Sequence, residues 1–228
     1  MRKQVYPHSH IAAGAGPAAL GLRGLFVLVC LAGCLLFGGC ATTTYYNVTD
    51  FDTVVIDAGH GGHDSGAFTR GLRARAQEKD LTLDVALRLE RKLREAGFRT
   101  VMTRRDDRFI PLDERVRISN ARRNSIFVSI HFNDTRRRSA HGAETYHNGR
   151  GTWELAARIE RALASMPGGA NRGVKTANYR VLRKAHGPAL LVECGFLSNS
   201  SEASRCTSPA CREQMAERIA GAIIAQRR

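Results

Sequence analysis

The sequence predicts a single α/β domain: a mostly parallel twisted sheet with helices on both faces. Two observations carry that expectation. Short runs rich in valine and isoleucine alternate with longer stretches of helical period, the order of βα units rather than of hairpins. Several of these runs are almost continuously apolar, as strands covered on both faces are. A hydrophobic content of 43% in 228 residues is enough for the core such a sheet needs.

Taken in order, a polar link at 41–52 leads into "TVVID" at 53–57, a strand bounded by glycine. "EKDLTLDVALRLERKLREAG" at 78–97 sets Leu81, Val85, Leu89 and Ala96 on one helical face, widened by Leu83 and Leu87 and stopped by Gly97. "RTVMTR" at 99–104 reads as a strand, "LDERVRISNARRN" at 112–124 as a basic helix, and "SIFVSIH" at 125–131 as a central strand. A helix follows over 151–166 through Leu155, Ile159, Leu163 and Met166. "NYRVLR" at 178–183 and "PALLVECGF" at 188–196 are two further strands, and "REQMAERIAGAIIAQ" at 212–226 is the closing helix. The expected folded domain is 53–228, with no internal repeat and no room for a second domain.

The first 40 residues are of another kind. A basic start precedes "GLFVLVCLAGCLLFGGC", which is short and glycine-rich for a membrane span and resembles a secretory signal peptide. It carries two lipobox-like endings, "LAGC" at Cys34 and "FGGC" at Cys40. Lipidation is expected at Cys40 or Cys34. Cys40 is favoured because cleavage there leaves the polar start "CATTTYY". The chain is thus read as an exported protein of the periplasm or cell envelope, anchored to the membrane as a lipoprotein, with a plain signal peptide or an uncleaved anchor as the open alternatives. Of the remaining cysteines, Cys194 lies in an apolar strand and reads as a buried thiol, while Cys206 and Cys211 in "CTSPAC" can bridge a short loop in an oxidising compartment.

The formal net charge is +14, and only Arg2, Lys3 and Arg23 of its contributors precede residue 41. Such a surface favours anionic partners, among them carboxylate-rich polymers and acidic lipid. No nucleic-acid motif accompanies it, and the arginines are scattered over several helices, so no nucleic-acid partner is expected. The sequence carries no signal for an oligomeric state.

In open α/β sheets, ligands bind beyond the carboxyl ends of the strands. His60 follows the first strand in "TVVIDAGHGGHDSGA", His131 ends "SIFVSIH", Glu193 lies inside "LLVECGF", and Glu78 opens the first long helix. Four metal-compatible side chains are thereby expected at one rim. Two histidines and a carboxylate are a typical donor set for catalytic zinc, which leaves a position for water and lowers its pKa to about 7. A further carboxylate then serves as proton carrier. Glu193 is the candidate, since a charge in an apolar strand is costly to bury. Taken singly, each residue also has an ordinary reading: a strand-end histidine as a surface group, Glu78 as complement to the positive end of a helix dipole.

Read together, "VVIDAGHGGHDSGA", Glu78 in "QEKDLTLDVALRL", "MTRRDDRFIPLDERVRISNARR", "IFVSIHFN" and "LLVECGFLSN" resemble, in order, the motifs of zinc-dependent N-acetylmuramoyl-L-alanine amidases. The resemblance implies a cell-wall hydrolase that cuts the amide between the lactyl group of N-acetylmuramic acid and L-alanine of the peptidoglycan stem peptide. It implies one Zn²⁺, held by His60, Glu78 and His131, with Glu193 as the catalytic glutamate. Asn133 and Arg115 also fall on motif positions, Asn133 beside the ligands and Arg115 tethering a helix near the rim. Asp64 matches a position that organises the turn. His63, His141, His147 and His186 match no ligand position and read as surface or loop residues.

The stretch between His131 and Asn171 is largely taken by "GAETYH" and the 151–166 helix. An open site is therefore expected, without the inhibitory helical insertion that some relatives carry. Two rival readings stay open at this level: a wall-binding lipoprotein without activity on the same fold, and a zinc peptidase or amidohydrolase with another amide substrate.

Overall fold

The computed structural model describes residues 48–227. The export segment at 1–40, with Cys30, Cys34 and Cys40, lies outside the described residues. A six-stranded sheet forms the centre: β1 (Thr53–Ala58), β2 (Arg99–Met102), β3 (Ser125–Asn133), β4 (Ala143–His147), β5 (Asn171–Lys175) and β6 (Ala189–Phe196), in the order β2-β1-β3-β6-β4-β5. β2, β1, β3 and β6 run parallel. β4 is antiparallel to β6, and β5 is parallel to β4. Among the described residues six helices accompany it: α1 (Glu78–Glu95), α2 (Leu112–Asn120), α3 (Trp153–Ala164), α4 (Arg180–Arg183), α5 (Ser200–Thr207) and α6 (Pro209–Ile224).

The pleat divides each strand between two cores. Val54, Ile56, Ile126, Val128, Leu190 and Val192 face one side, where they pack with α1, α3 and α6. Val55, Phe127, Ala189 and Leu191 face the other, beneath α2 and α4. The second face has the lighter cover, because α2 is short and α4 is a single turn. Continued along the same parity, that face carries Asp57, Ser129, His131, Asn133 and Glu193 toward the carboxyl ends of the strands. The polar row thus lies on the face covered only by these two small helices.

One expectation about an element is corrected. The segment 178–183 is not a strand; it holds α4, and the two strands the sequence does not assign are β4 at Ala143–His147 and β5 at Asn171–Lys175. Val181, Leu182 and Ala185 are all buried, a spacing that suits a helical turn and not a two-residue alternation. The stretch after "GFLSN", to which the sequence assigns no element, folds as α5. Asn199 caps it by accepting from the Glu202 N–H at 3.1 Å, and Glu202, Ala203 and Cys206 turn inward.

The Cys206–Cys211 bridge is not formed, and Cys194, Cys206 and Cys211 are free thiols. Cys206 ends α5 with its sulfur buried against Gly195, whereas Cys211 sits in the first turn of α6, its N–H directed to the Ser208 cap. The two sulfurs belong to different helices, and the Ser208–Pro209 junction restarts the chain between them. Among the described residues no helix is long and apolar enough to cross a membrane.

Candidate metal centre

β1 delivers the first histidine in an unusual conformation. His60 has φ 61°, in the left-handed region that few residues other than glycine adopt. Two buried arginines brace the turn. Arg115 donates to the His60 and Ala58 carbonyls, both at 2.6 Å, and Arg104 donates to the Ala58 and Gly59 carbonyls at 3.0 and 2.8 Å. Arg115 is 2% exposed and its charge is met by Asp57 Oδ1 at 2.7 Å. Burial acts to raise the Asp57 pKa, but the Arg115 charge and hydrogen bonds from Ser129 and Thr103 outweigh it and hold the carboxyl below its usual range.

Three side chains converge at the strand ends. His60 Nε2 lies 3.0 Å from Glu78 Oε1 and His131 Nδ1 lies 3.1 Å from the same oxygen. One donor atom from each of His60, Glu78 and His131 falls within 4.8 Å of the others. Glu78 is further held by the Phe132 N–H on Oε1 at 3.0 Å and the Ala67 N–H on Oε2 at 2.9 Å. Burial works against its ionised form, yet hydrogen bonding from the two imidazoles keeps its pKa far below normal. The His131 pKa is depressed by burial and raised on balance by Glu78.

Asp64 goes beyond organising the turn. One oxygen accepts from the Gly66 N–H at 3.2 Å, while the other lies 2.9 Å from His60 Nδ1 and so fixes which ring nitrogen faces Glu78. This is the carboxylate–imidazole arrangement that orients metal-binding histidines. Glycines make room for the cluster. A Cβ at Gly59 would overlap the His131 ring, and one at Gly66, where φ is 63°, would strike both Glu78 and His60. A pair of imidazole nitrogens and a carboxylate, with glycine on two sides, fits a four-coordinate zinc ion that keeps one open position.

Glu193 stands beside this cluster. It pairs in register with His131 across β3–β6 and is 9% exposed. Its Oε2 is buried and without a hydrogen-bond partner among the described residues. Burial, with Glu78 and Glu144 nearby, pushes its pKa up to about 7 against the pull of His131.

A cavity of about 530 Å³ opens over these groups. His60, Glu78, His131, Asn133, Arg115 and Glu193 all line it, with Phe109, Leu112, Tyr179 and Leu191 as apolar walls. Phe109, Leu112 and Tyr179 are exposed. The other described histidines stay outside. His63 is exposed with its ring 4.1 Å from Phe109, His141 and His186 are exposed, and His147 bonds the Gly149 N–H. Sequence reasoning missed Arg104, the role of Asp64 toward His60, and Glu144. Glu144 carried no local signal, since it becomes a charge inside a strand only once β4 is placed against β6.

Sheet, rim and donor set together define an α/β hydrolytic domain with a candidate metal centre at its strand ends. Comparison with known proteins names the family. The Amidase_3 family, described as N-acetylmuramoyl-L-alanine amidase, matches residues 54–225, and the chain belongs to it. It is 40% identical to YqiI of Bacillus subtilis over 175 residues, 75% of this chain and 82% of that protein. It is 37% identical to the N-acetylmuramoyl-L-alanine amidase LytC of Bacillus subtilis over 172 residues, 74% of this chain but only 34% of LytC. Among solved structures, the catalytic domain of CwlV, an N-acetylmuramoyl-L-alanine amidase from Bacillus (Paenibacillus) polymyxa, aligns with a TM-score of 0.71 and 34% identity. That alignment covers 76% of this chain and 96% of the CwlV domain.

Proposed function

We propose that the chain is a zinc-dependent peptidoglycan amidase that cleaves the bond between N-acetylmuramic acid and the L-alanine of the stem peptide. The observation that carries the reading is the meeting of His60, Glu78 and His131 in one cavity, with a partnerless carboxylate oxygen of Glu193 beside them. Zinc held by those three residues would supply Lewis acidity toward the scissile carbonyl and toward water. Glu193 accepts the proton of the attacking water and returns it to the leaving amine, a role for which a carboxylate without a structural partner is free. Asp64 keeps the His60 ring in its ligating orientation, and Arg115 and Arg104 hold the turn that carries it.

The domain reading goes with this function: a lipoprotein signal over 1–40 with Cys40 or Cys34 as the lipid site, a linker over 41–52, and the catalytic domain over 53–228. Export of this kind puts the site in the envelope, where its substrate is.

The test is digestion of purified peptidoglycan by the zinc-loaded protein, with the released fragments identified by mass. Free stem peptides beginning at L-alanine support the proposal. Cleavage inside the peptide would favour a peptidase, and no release at all would favour a wall-binding scaffold.

A further inference from the structure

Asn133 lies two residues beyond His131 on the cavity face of β3. Its Nδ2 is 3.1 Å from Glu144 Oε2. Glu144 is 4% exposed and saturated with donors: Arg172 Nε at 2.6 Å and Lys175 Nζ at 2.8 Å on Oε1, and the Tyr146 hydroxyl at 2.8 Å on Oε2 beside Asn133. A carboxylate so bound can only accept, so chemistry alone requires the Asn133 amide to present its nitrogen to it. The carbonyl end is then turned the other way. No protein donor among the described residues meets Asn133 Oδ1. A half-buried acceptor thus borders a cavity whose expected substrate is a peptide, rich in N–H donors.

We propose that Asn133 is a substrate-binding residue whose Oδ1 accepts an N–H of the stem peptide on the leaving side of the scissile amide, and that Glu144 is the positioning residue that sets this orientation. The proposal rests on the amidase reading and adds to it where the peptide lies. Glu144 also holds the Tyr146 hydroxyl, and the Tyr146 ring packs edge-on against Tyr179 at 5.1 Å. Tyr179 is a wall of the same cavity, so one carboxylate organises both a polar and an aromatic contact for the peptide.

Glu144→Gln makes the inference testable. Arg172 and Lys175 claim the remaining oxygen of the glutamine, which turns its NH₂ toward Asn133. The Asn133 amide must then rotate, so that a donor replaces the acceptor at the cavity. The measurement is binding of an L-alanine-led muramoyl peptide to the zinc-loaded full chain in a Glu193→Gln background, with zinc content and thermal melting recorded beside it. Loss of one neutral hydrogen bond corresponds to about five- to tenfold weaker binding. Asn133→Ala and Glu144→Gln should each show that loss with zinc content retained, and the double variant should lose no more than either alone. In the Glu193-intact enzyme, the loss falls on KM more than on kcat. Unchanged binding in Asn133→Ala overturns the contact, and losses that add in the double variant overturn the role of Glu144. An unmutated chain that neither binds the peptide nor releases stem peptides from walls removes the amidase reading itself, and this proposal with it.

Discussion

Glu193 and Glu144 stand directly opposite each other across the antiparallel β4–β6 pair, both buried, and they are treated in opposite ways. Glu144 is met by an arginine, a lysine, a tyrosine and an asparagine, and the first two of these, with Tyr146, hold its pKa below normal against the effect of burial. Glu193 keeps a buried oxygen with no partner among the described residues. In register with His131 on its other side, Glu193 is the middle member of a row of three ionisable groups across three strands. A structural carboxylate and a chemically available one thus occupy neighbouring positions. What separates them is the supply of donors.

Replacing Glu193 therefore costs function and not fold. Glu193→Gln puts a neutral amide of the same shape where a buried carboxyl has no hydrogen-bond partner among the described residues, so the melting temperature of the metal-free protein should not fall. Turnover on peptidoglycan should drop by about 10²–10⁴, the range for a general acid–base group, with bound zinc unchanged. Near-normal turnover in this variant would remove Glu193 from the proposed chemistry.

Metal removal should be visible in stability. The three donors crowd around one oxygen of Glu78, and a cation bound only by the folded state stabilises it by mass action. Adding zinc at one hundred times its dissociation constant should contribute about 2.7 kcal/mol, read as a rise in melting temperature that a chelator reverses. His60→Ala should show no such rise.

Asp64 touches no proposed metal-ligating atom, yet its carboxylate orients His60 through Nδ1. Asp64→Asn should keep the fold and weaken zinc binding by about 10–100-fold, as loss of such outer partners does. Titration against a competing chelator measures this directly, and equal affinity would reduce Asp64 to a turn residue.

The parts of the molecule legible in the sequence are those written in local periodicity. The strand at 53–57 and the helix that begins at Glu78 follow from their apolar spacing, and the strand-end rule gathered His60, His131 and Glu193 at one rim. The structure brings those side chains and Glu78 into one cavity. Its accessory groups were hidden because they are tertiary. Arg104 looks like any surface arginine until its guanidinium is seen binding two carbonyls of the β1 turn. Glu144 becomes informative only once β4 is known to lie against β6, a pairing that no local pattern encodes. The α4 segment is ambiguous for a related reason: four residues of apolar and basic character fit one helical turn as well as a strand, and packing under the sheet decides between them.

The Asp57–Arg115 pair gives the pH dependence of stability. Both side chains are almost wholly buried at 2.7 Å, with Ser129 and Thr103 completing the carboxylate's hydrogen bonds at 2.6 and 2.7 Å. The native pKa of Asp57 lies below its unfolded value of about 3.9, so the native state binds fewer protons than the unfolded one in that region. The stabilisation is fully present above about pH 4 and is lost as pH falls through the native pKa. Asp57→Asn leaves the Arg115 charge buried alone, which costs about 3–5 kcal/mol at neutral pH. Urea unfolding of the wild type and Asp57→Asn at pH 7, repeated at steps below pH 4, measures the difference. The gap should be wide at pH 7 and narrow on acidification as the wild-type carboxyl takes up its proton. Equal midpoints at pH 7 would mean that the turn carrying His60 does not depend on this pair.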